Sequence, residues 1–162
     1  DAIEDYDTVI RLKPEDGLLA LAYVNRANTK SDLGDNNGAI EDCNTVIGLA
    51  HADAILAEAY NVRGKAKSAN GDNKGGIIDY NKSIQLEPNH AEFYYNRGVA
   101  NAALRRTSEA ETDFKTALKL LNQEHDISKS AIAETDNLNL WVKLDLPSDL
   151  KADVEKALRE LE

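Results

Sequence analysis

Ile77, Tyr80 and Ile84 recur at i, i+3 and i+7, on one face of a helix with 3.6 residues per turn. Around them, Tyr60, Arg63, Gly64 and Tyr80 return 34 residues later as Tyr94, Arg97, Gly98 and Phe114. The apolar pair Ile84 and Leu86 returns as Leu118 and Leu120. A fixed period of this length predicts a solenoid of helix-turn-helix units. Read backwards at an offset of 37, the pattern gives Tyr23, Arg26, Ala27, Gly34, Ala39, Cys43 and Ile47. The three additional residues fall around His51 to Ala54, between helices, where insertions are tolerated. Another 37 residues back, Ala2, Ile3, Tyr6, Ile10, Leu12 and Pro14 match only the second half of a unit.

Each unit reads as two helices. Gly34-Asp35-Asn36 and Gly71-Asp72-Asn73 separate them: glycine accepts the left-handed conformation that ends the first helix, and Asp or Asn can cap the second. Pro14 and Pro88 stop second helices. The third unit has Arg105 at the glycine position and Asn122 at the proline position, which predicts a looser turn and a second helix running toward Glu124. Beyond residue 125 the repeat is lost. A helix from about Ser128 to Asn137 is expected, then an extended segment in which Leu138, Leu140, Val142, Leu144 and Leu146 alternate around Trp141. Those leucines are expected to fold over the end of the array, with pairing to another chain as the alternative. Pro147-Ser148-Asp149 followed by Leu150, Val154, Leu158 and Leu161 reads as a capped amphipathic helix closing it. The expected divisions are a half unit at 1–16, full units at 17–53, 54–90 and 91–125, and a terminal segment at 126–162.

Tyr60, Gly64, Gly71, Gly76, Tyr80, Ser83 and Pro88, at their spacing, resemble the tetratricopeptide repeat, and the resemblance covers about residues 1–122. It implies an all-α, right-handed superhelix of helix-turn-helix repeats with a C-terminal capping helix. Where that family usually places a large aliphatic residue before the glycine, this chain has Arg26, Arg63 and Arg97.

Composition narrows the function. With 162 residues, 42% of them apolar, the chain can form one compact domain or one short repeat array. Nineteen basic against 29 acidic residues leave a net charge of −10, which argues against nucleic acid and anionic membranes as partners. No apolar run approaches the roughly 20 residues of a membrane span and no signal-peptide pattern opens the chain, so a cytoplasmic location is favoured. A single Cys43 excludes an internal disulfide and a cysteine-based zinc site, and it shares the register of Tyr6, Tyr80 and Phe114, which predicts a packed hydrophobe. The absence of Met and the half-unit start suggest a piece of something longer. His51, His90 and His125 fall at inter-helix junctions with no nucleophile or acid at a recognised spacing. Gly34 to Gly38 lacks the acidic first position and closing glutamate of a calcium loop and reads as a turn. No metal, cofactor or catalytic group is expected.

Two residue sets carry the candidate function. Arg26, Arg63 and Arg97 share their period with Asp5, Asp42, Asp79 and Asp113, which predicts a structural ladder of guanidinium–carboxylate pairs over the alternative of a grip on an acidic ligand. In the family resembled, first helices line the concave face. That places Leu21, Val24, Asn25 and Asn28, then Glu58, Asn61, Val62 and Lys65, then Glu92, Tyr95, Asn96 and Val99 along a groove. Asn25, Asn28, Asn61, Lys65, Tyr95 and Asn96 are the expected contacts to the backbone of a peptide segment from a partner protein. A clamp for a terminal carboxylate is not expected, because Glu58 and Glu92 occupy two of its positions and only Lys65 is basic. The expected function is protein binding or scaffolding rather than catalysis. Alternatives are self-assembly, for instance homo-oligomerisation through the open N-terminal edge of Ile3, Tyr6, Val9 and Ile10, or a regulatory arm of a larger enzyme.

Overall fold

A computed structural model describes residues 2–49, 52–134 and 148–161. Their eight helices are α1 (Ala2–Arg11), α2 (Asp16–Asp32), α3 (Asn36–Leu49), α4 (Asp53–Ala69), α5 (Asn73–Leu86), α6 (Ala91–Ala103), α7 (Thr107–Glu134) and α8 (Ser148–Arg159). The pairs α2/α3, α4/α5 and α6/α7 are the helix-turn-helix units, and α1 packs on α2 as the second helix of a preceding half unit. The architecture is an all-α superhelical solenoid, as the period predicts. No helix among the described residues is long and apolar enough to cross a membrane.

The turns within units follow one plan. Gly34 and Gly71 sit at φ +85° and +89°, the left-handed region where a side chain is strained. The next residue closes each turn: the Asp35 amide donates to the Lys30 carbonyl at 2.8 Å, and Asp72 to Lys67 at 2.9 Å. Their side chains then accept from the amides of Gly38 (3.0 Å) and Gly75 (2.8 Å), capping α3 and α5. The third unit does not loosen as expected. Arg105 adopts φ +60° and the Arg106 amide donates to the Asn101 carbonyl at 2.9 Å, so packing of α6 on α7 imposes the same turn without a glycine. A left-handed residue other than glycine costs about 1–2 kcal/mol, and Arg106 stands where the other units place a capping Asp. Arg105→Gly with Arg106→Asp is therefore expected to raise the unfolding free energy by roughly 1–2 kcal/mol. A urea midpoint no higher than that of the natural chain would refute this reading of the turn.

The second helix of the third unit does run on, past the expected Glu124, to Glu134. No Pro or Gly interrupts residues 107–134, so the helix expected from Ser128 is the tail of α7. His125 consequently lies inside a helix and not at a junction. The alternating segment around Trp141 lies outside the described residues.

The core is built where helices of a unit cross. Tyr80 and Phe114 are buried against Gly64 and Gly98, where a Cβ would lie 2.7 Å and 2.6 Å from a ring carbon. In the first unit the pair is Cys43 against Ala27, smaller on one side and larger on the other. Cys43 is fully buried, as its register predicts, and burial pushes its thiol up to about 12. At the far end Val154 of α8 is buried among Ala110, Phe114, Ala117 and Leu121 of α7, while α8 also touches α6. The capping helix thus takes the place of a fourth unit's first helix. At the near end no residue of α1 is fully buried, and Ile3, Tyr6, Val9 and Ile10 are half-covered.

Candidate binding groove

Each ladder arginine ties three helices together. Arg26 reaches Asp42 with two parallel hydrogen bonds, Nε at 2.8 Å and Nη2 at 2.6 Å. Arg63 does the same to Asp79 at 2.9 and 2.7 Å, and Arg97 to Asp113 at 3.0 and 2.6 Å. The remaining Nη1 crosses to the preceding unit, where it donates to Asp7, Asn44 and Asn81 respectively. Each guanidinium also lies over the tyrosine one turn earlier, 5.1 Å from the Tyr23 ring, 5.2 Å from Tyr60 and 5.6 Å from Tyr94. The aspartates are nearly dry, with 2–6% of the side chain exposed. Lys30 and Lys67 add a second cation to Asp42 and Asp79, whereas Asp113 receives the neutral amide of Asn101 at 3.2 Å. The hydrogen bonds to Asp42 and Asp79 raise the pKa of Arg26 and Arg63 above its ordinary value. Asp5 is exposed and is not the residue that meets Arg26: Asp7, two residues on and so about 200° further round α1, does so instead. With the guanidinium groups of Arg26, Arg63 and Arg97 engaged inside the protein, the geometry favours a structural ladder over a grip on an acidic ligand.

The hubs hold the first helices side by side. α2 touches α4, α4 touches α6 and α6 touches α8, while second helices of successive units share at most marginal contact. The array therefore bends toward the first helices, and their outward face is concave. Across it, Lys65 Nζ donates to Asn28 Oδ1 at 3.4 Å, and Asn96 Nδ2 donates to Asn61 Oδ1 at 2.9 Å. Asn61 Nδ2 in turn donates to Glu92 Oε1 at 3.4 Å. Leu21 and Val99 on this face are each 45% exposed.

Models of the tetratricopeptide repeat match residues 20–53, 57–90 and 79–112. The chain belongs to the tetratricopeptide repeat family. No curated protein sequence matches it. Solved structures share the repeat fold at low identity. The translocator chaperone SycD of Yersinia enterocolitica, of type III secretion, superposes with a TM-score of 0.69 at 14% identity, over 95% of this chain and 90% of that one. The same chaperone in complex with a peptide of the translocator YopD gives 0.63 at 14% identity, covering 86% and 88%. The second repeat domain of human RPAP3, solved with the HSP70 peptide SGPTIEEVD, gives 0.64 at 20% identity, covering 90% and 97%.

Within this tetratricopeptide array the expected groove residues divide. Asn25, Asn28, Lys65 and Asn96 are half-exposed on the concave side. Tyr95 is also half-buried, its ring 5.9 Å from that of Phe114. Asn61 is fully buried between α4 and α6. It shares the register of Val24, which is buried too, so it positions Asn96 and does not itself line the groove. Val62 is likewise core. Burial, with the charge of Glu92 second, raises the Glu58 pKa above its ordinary 4.5. A folded pKa above the unfolded one means that ionisation opposes folding. That part of the stability is complete below the unfolded value and is lost as pH rises through the folded one. Glu58→Gln is thus expected to match the natural chain near about pH 4 and to be the more stable from about pH 5 upward. Urea midpoints across that range check it; an equal gain at every pH would contradict it. Among the described residues no His, Cys, Asp and Glu cluster is suited to hold a metal.

Proposed function

We propose that this chain is a protein-interaction module holding an extended segment of a partner protein along the concave face of α2, α4 and α6. The observation that carries this reading is the row of half-exposed amides and apolar side chains, Leu21, Asn25, Asn28, Asn96 and Val99, on helices locked by the arginine hubs. Such amides both donate and accept, so they can pair with a peptide backbone. At roughly 9 Å between neighbouring helix axes the strip spans some 20–30 Å, about seven to nine extended residues. Peptide complexes of SycD and of an RPAP3 repeat domain support the reading by analogy of fold. Glu58 and Glu92 favour a neutral or basic segment, and Lys65, already donating to Asn28, makes a carboxylate clamp a poor fit.

The test is titration of the full chain against an array of neutral and basic nonapeptides. Asn25→Ala with Asn28→Ala removes two backbone partners while leaving the Asn61 to Asn96 link in place. At about 0.5–1.5 kcal/mol each, the loss is expected to weaken binding roughly tenfold with an unchanged melting curve. Unaltered affinity, with a loss instead on changing exposed Glu41 and Glu111 of the second helices, would overturn the groove as the site.

A further inference from the structure

We propose that the pocket between α6, α7 and α8, at the end of the groove, is a subsite for an arginine side chain of the bound segment; this rests on the groove reading. The pocket has a volume of about 460 Å³, within the usual range of ligand sites of about 300–1,000 Å³. Its lining is apolar and partly aromatic at Tyr95, Val99, Ala102 and Leu161. Val99 is 45% exposed and belongs to the concave face as well, so the pocket opens from the groove. Its rim carries two carboxylates, Asp153 and Glu160, against one cation, Lys156. The Lys156 Nζ stands 3.8 Å from Glu160, with both side chains about two-thirds exposed, so the pair is loose and Asp153 remains in excess.

A long side chain with an apolar stem and a cationic, flat head matches that combination. Its methylenes would lie on Val99 and Leu161, as cationic side chains bury their stems along apolar surface. The guanidinium can stack on the Tyr95 ring and face Asp153 and Glu160 at once. Burial first, then the charges of Asp153 and Glu160, raise the Tyr95 pKa, consistent with both carboxylates acting on this ring's surroundings. An acidic side chain would meet repulsion at the rim, and a short apolar one would leave the carboxylates unused. The subsite would give the bound segment a polarity, with its basic residue at the α8 end. It depends on α8, which occupies the position of a further first helix and adds acidic residues there.

The experiment uses the full chain and two probes. In methyl and aromatic NMR, N-acetyl-arginine methylamide is expected to shift the signals of Val99, Ala102 and Tyr95, and N-acetyl-norleucine methylamide to shift them less at equal concentration. Asp153→Asn with Glu160→Gln changes only exposed positions and is expected to weaken the arginine response about five- to tenfold. No shift at these signals, an equal response to norleucine, or a response untouched by the double change would overturn the subsite. The nonapeptide array separates this from the groove. Nonapeptides that bind with no arginine preference sensitive to the double change overturn the subsite alone. If no nonapeptide binds, the groove reading falls, and the single-residue probe decides the pocket by itself.

Discussion

Arg97→Ala is expected to be the most damaging of the three arginine truncations, lowering the unfolding free energy by about 3–5 kcal/mol. Removing one partner of a desolvated ion pair strands the other, and Asp113 is only 4% exposed. Asp42 and Asp79 each keep a lysine when their arginine is removed, but Asp113 keeps only the neutral Asn101. Arg26→Ala and Arg63→Ala are accordingly expected to cost less. A loss of this size is a large share of the roughly 5–15 kcal/mol that holds a domain together. Urea melts of each single change, and of Arg97→Ala with Asp113→Asn, provide the comparison. The double change is expected to be milder than the sum of its parts, because the stranded charge is gone. Strict additivity, or three equal arginine effects, would contradict the hub as described.

Gly64→Ala is expected to cost about 1–3 kcal/mol, although alanine is the better helix former. The new Cβ would lie 2.7 Å from Cε1 and 2.9 Å from Cδ1 of Tyr80, a residue only 2% exposed and packed in the core. The first unit shows the compatible alternative, Ala27 against Cys43. Gly64→Ala with Tyr80→Cys recreates that pair in the second unit. Its cost should fall short of the summed single costs by a coupling energy of about 0.5–3 kcal/mol. If Gly64→Ala were neutral in thermal and urea melts, the close approach of α4 and α5 would not be what selects glycine.

The ladder was legible because charge and period coincide: Arg26, Arg63 and Arg97 share their offsets with Asp42, Asp79 and Asp113. The same 37-residue offset relates Asp7, Asn44 and Asn81, so the inter-unit partners carried a signal of equal strength. That partner changes from carboxylate to amide along the array, so charge alone does not reveal it. Lys30, Lys67 and Asn101 lie one turn after each arginine, but the residue type changes in the third unit and the period alone does not say that they face the aspartates. The groove was harder. Neighbouring helix residues differ by about 100° in direction, so Asn61 and Val62 both fall near the concave edge. Both prove buried, and for Asn61 that depends on how closely α4 and α6 approach, a distance that periodicity does not encode. The third turn shows the opposite priority. Arg105 is a poor turn residue by local rules, yet the tertiary packing of α6 on α7 outweighs about 1–2 kcal/mol of backbone strain.

The concave face of the first helices is proposed to receive a peptide segment. Amide shift mapping of the full chain, titrated with the tightest-binding nonapeptide of the array, tests it most directly. The largest changes are expected at Asn25, Asn28, Lys65 and Asn96, with the surfaces of α3 and α5 silent. Shifts concentrated on α3 and α5, with those four residues unmoved at saturation, would contradict it.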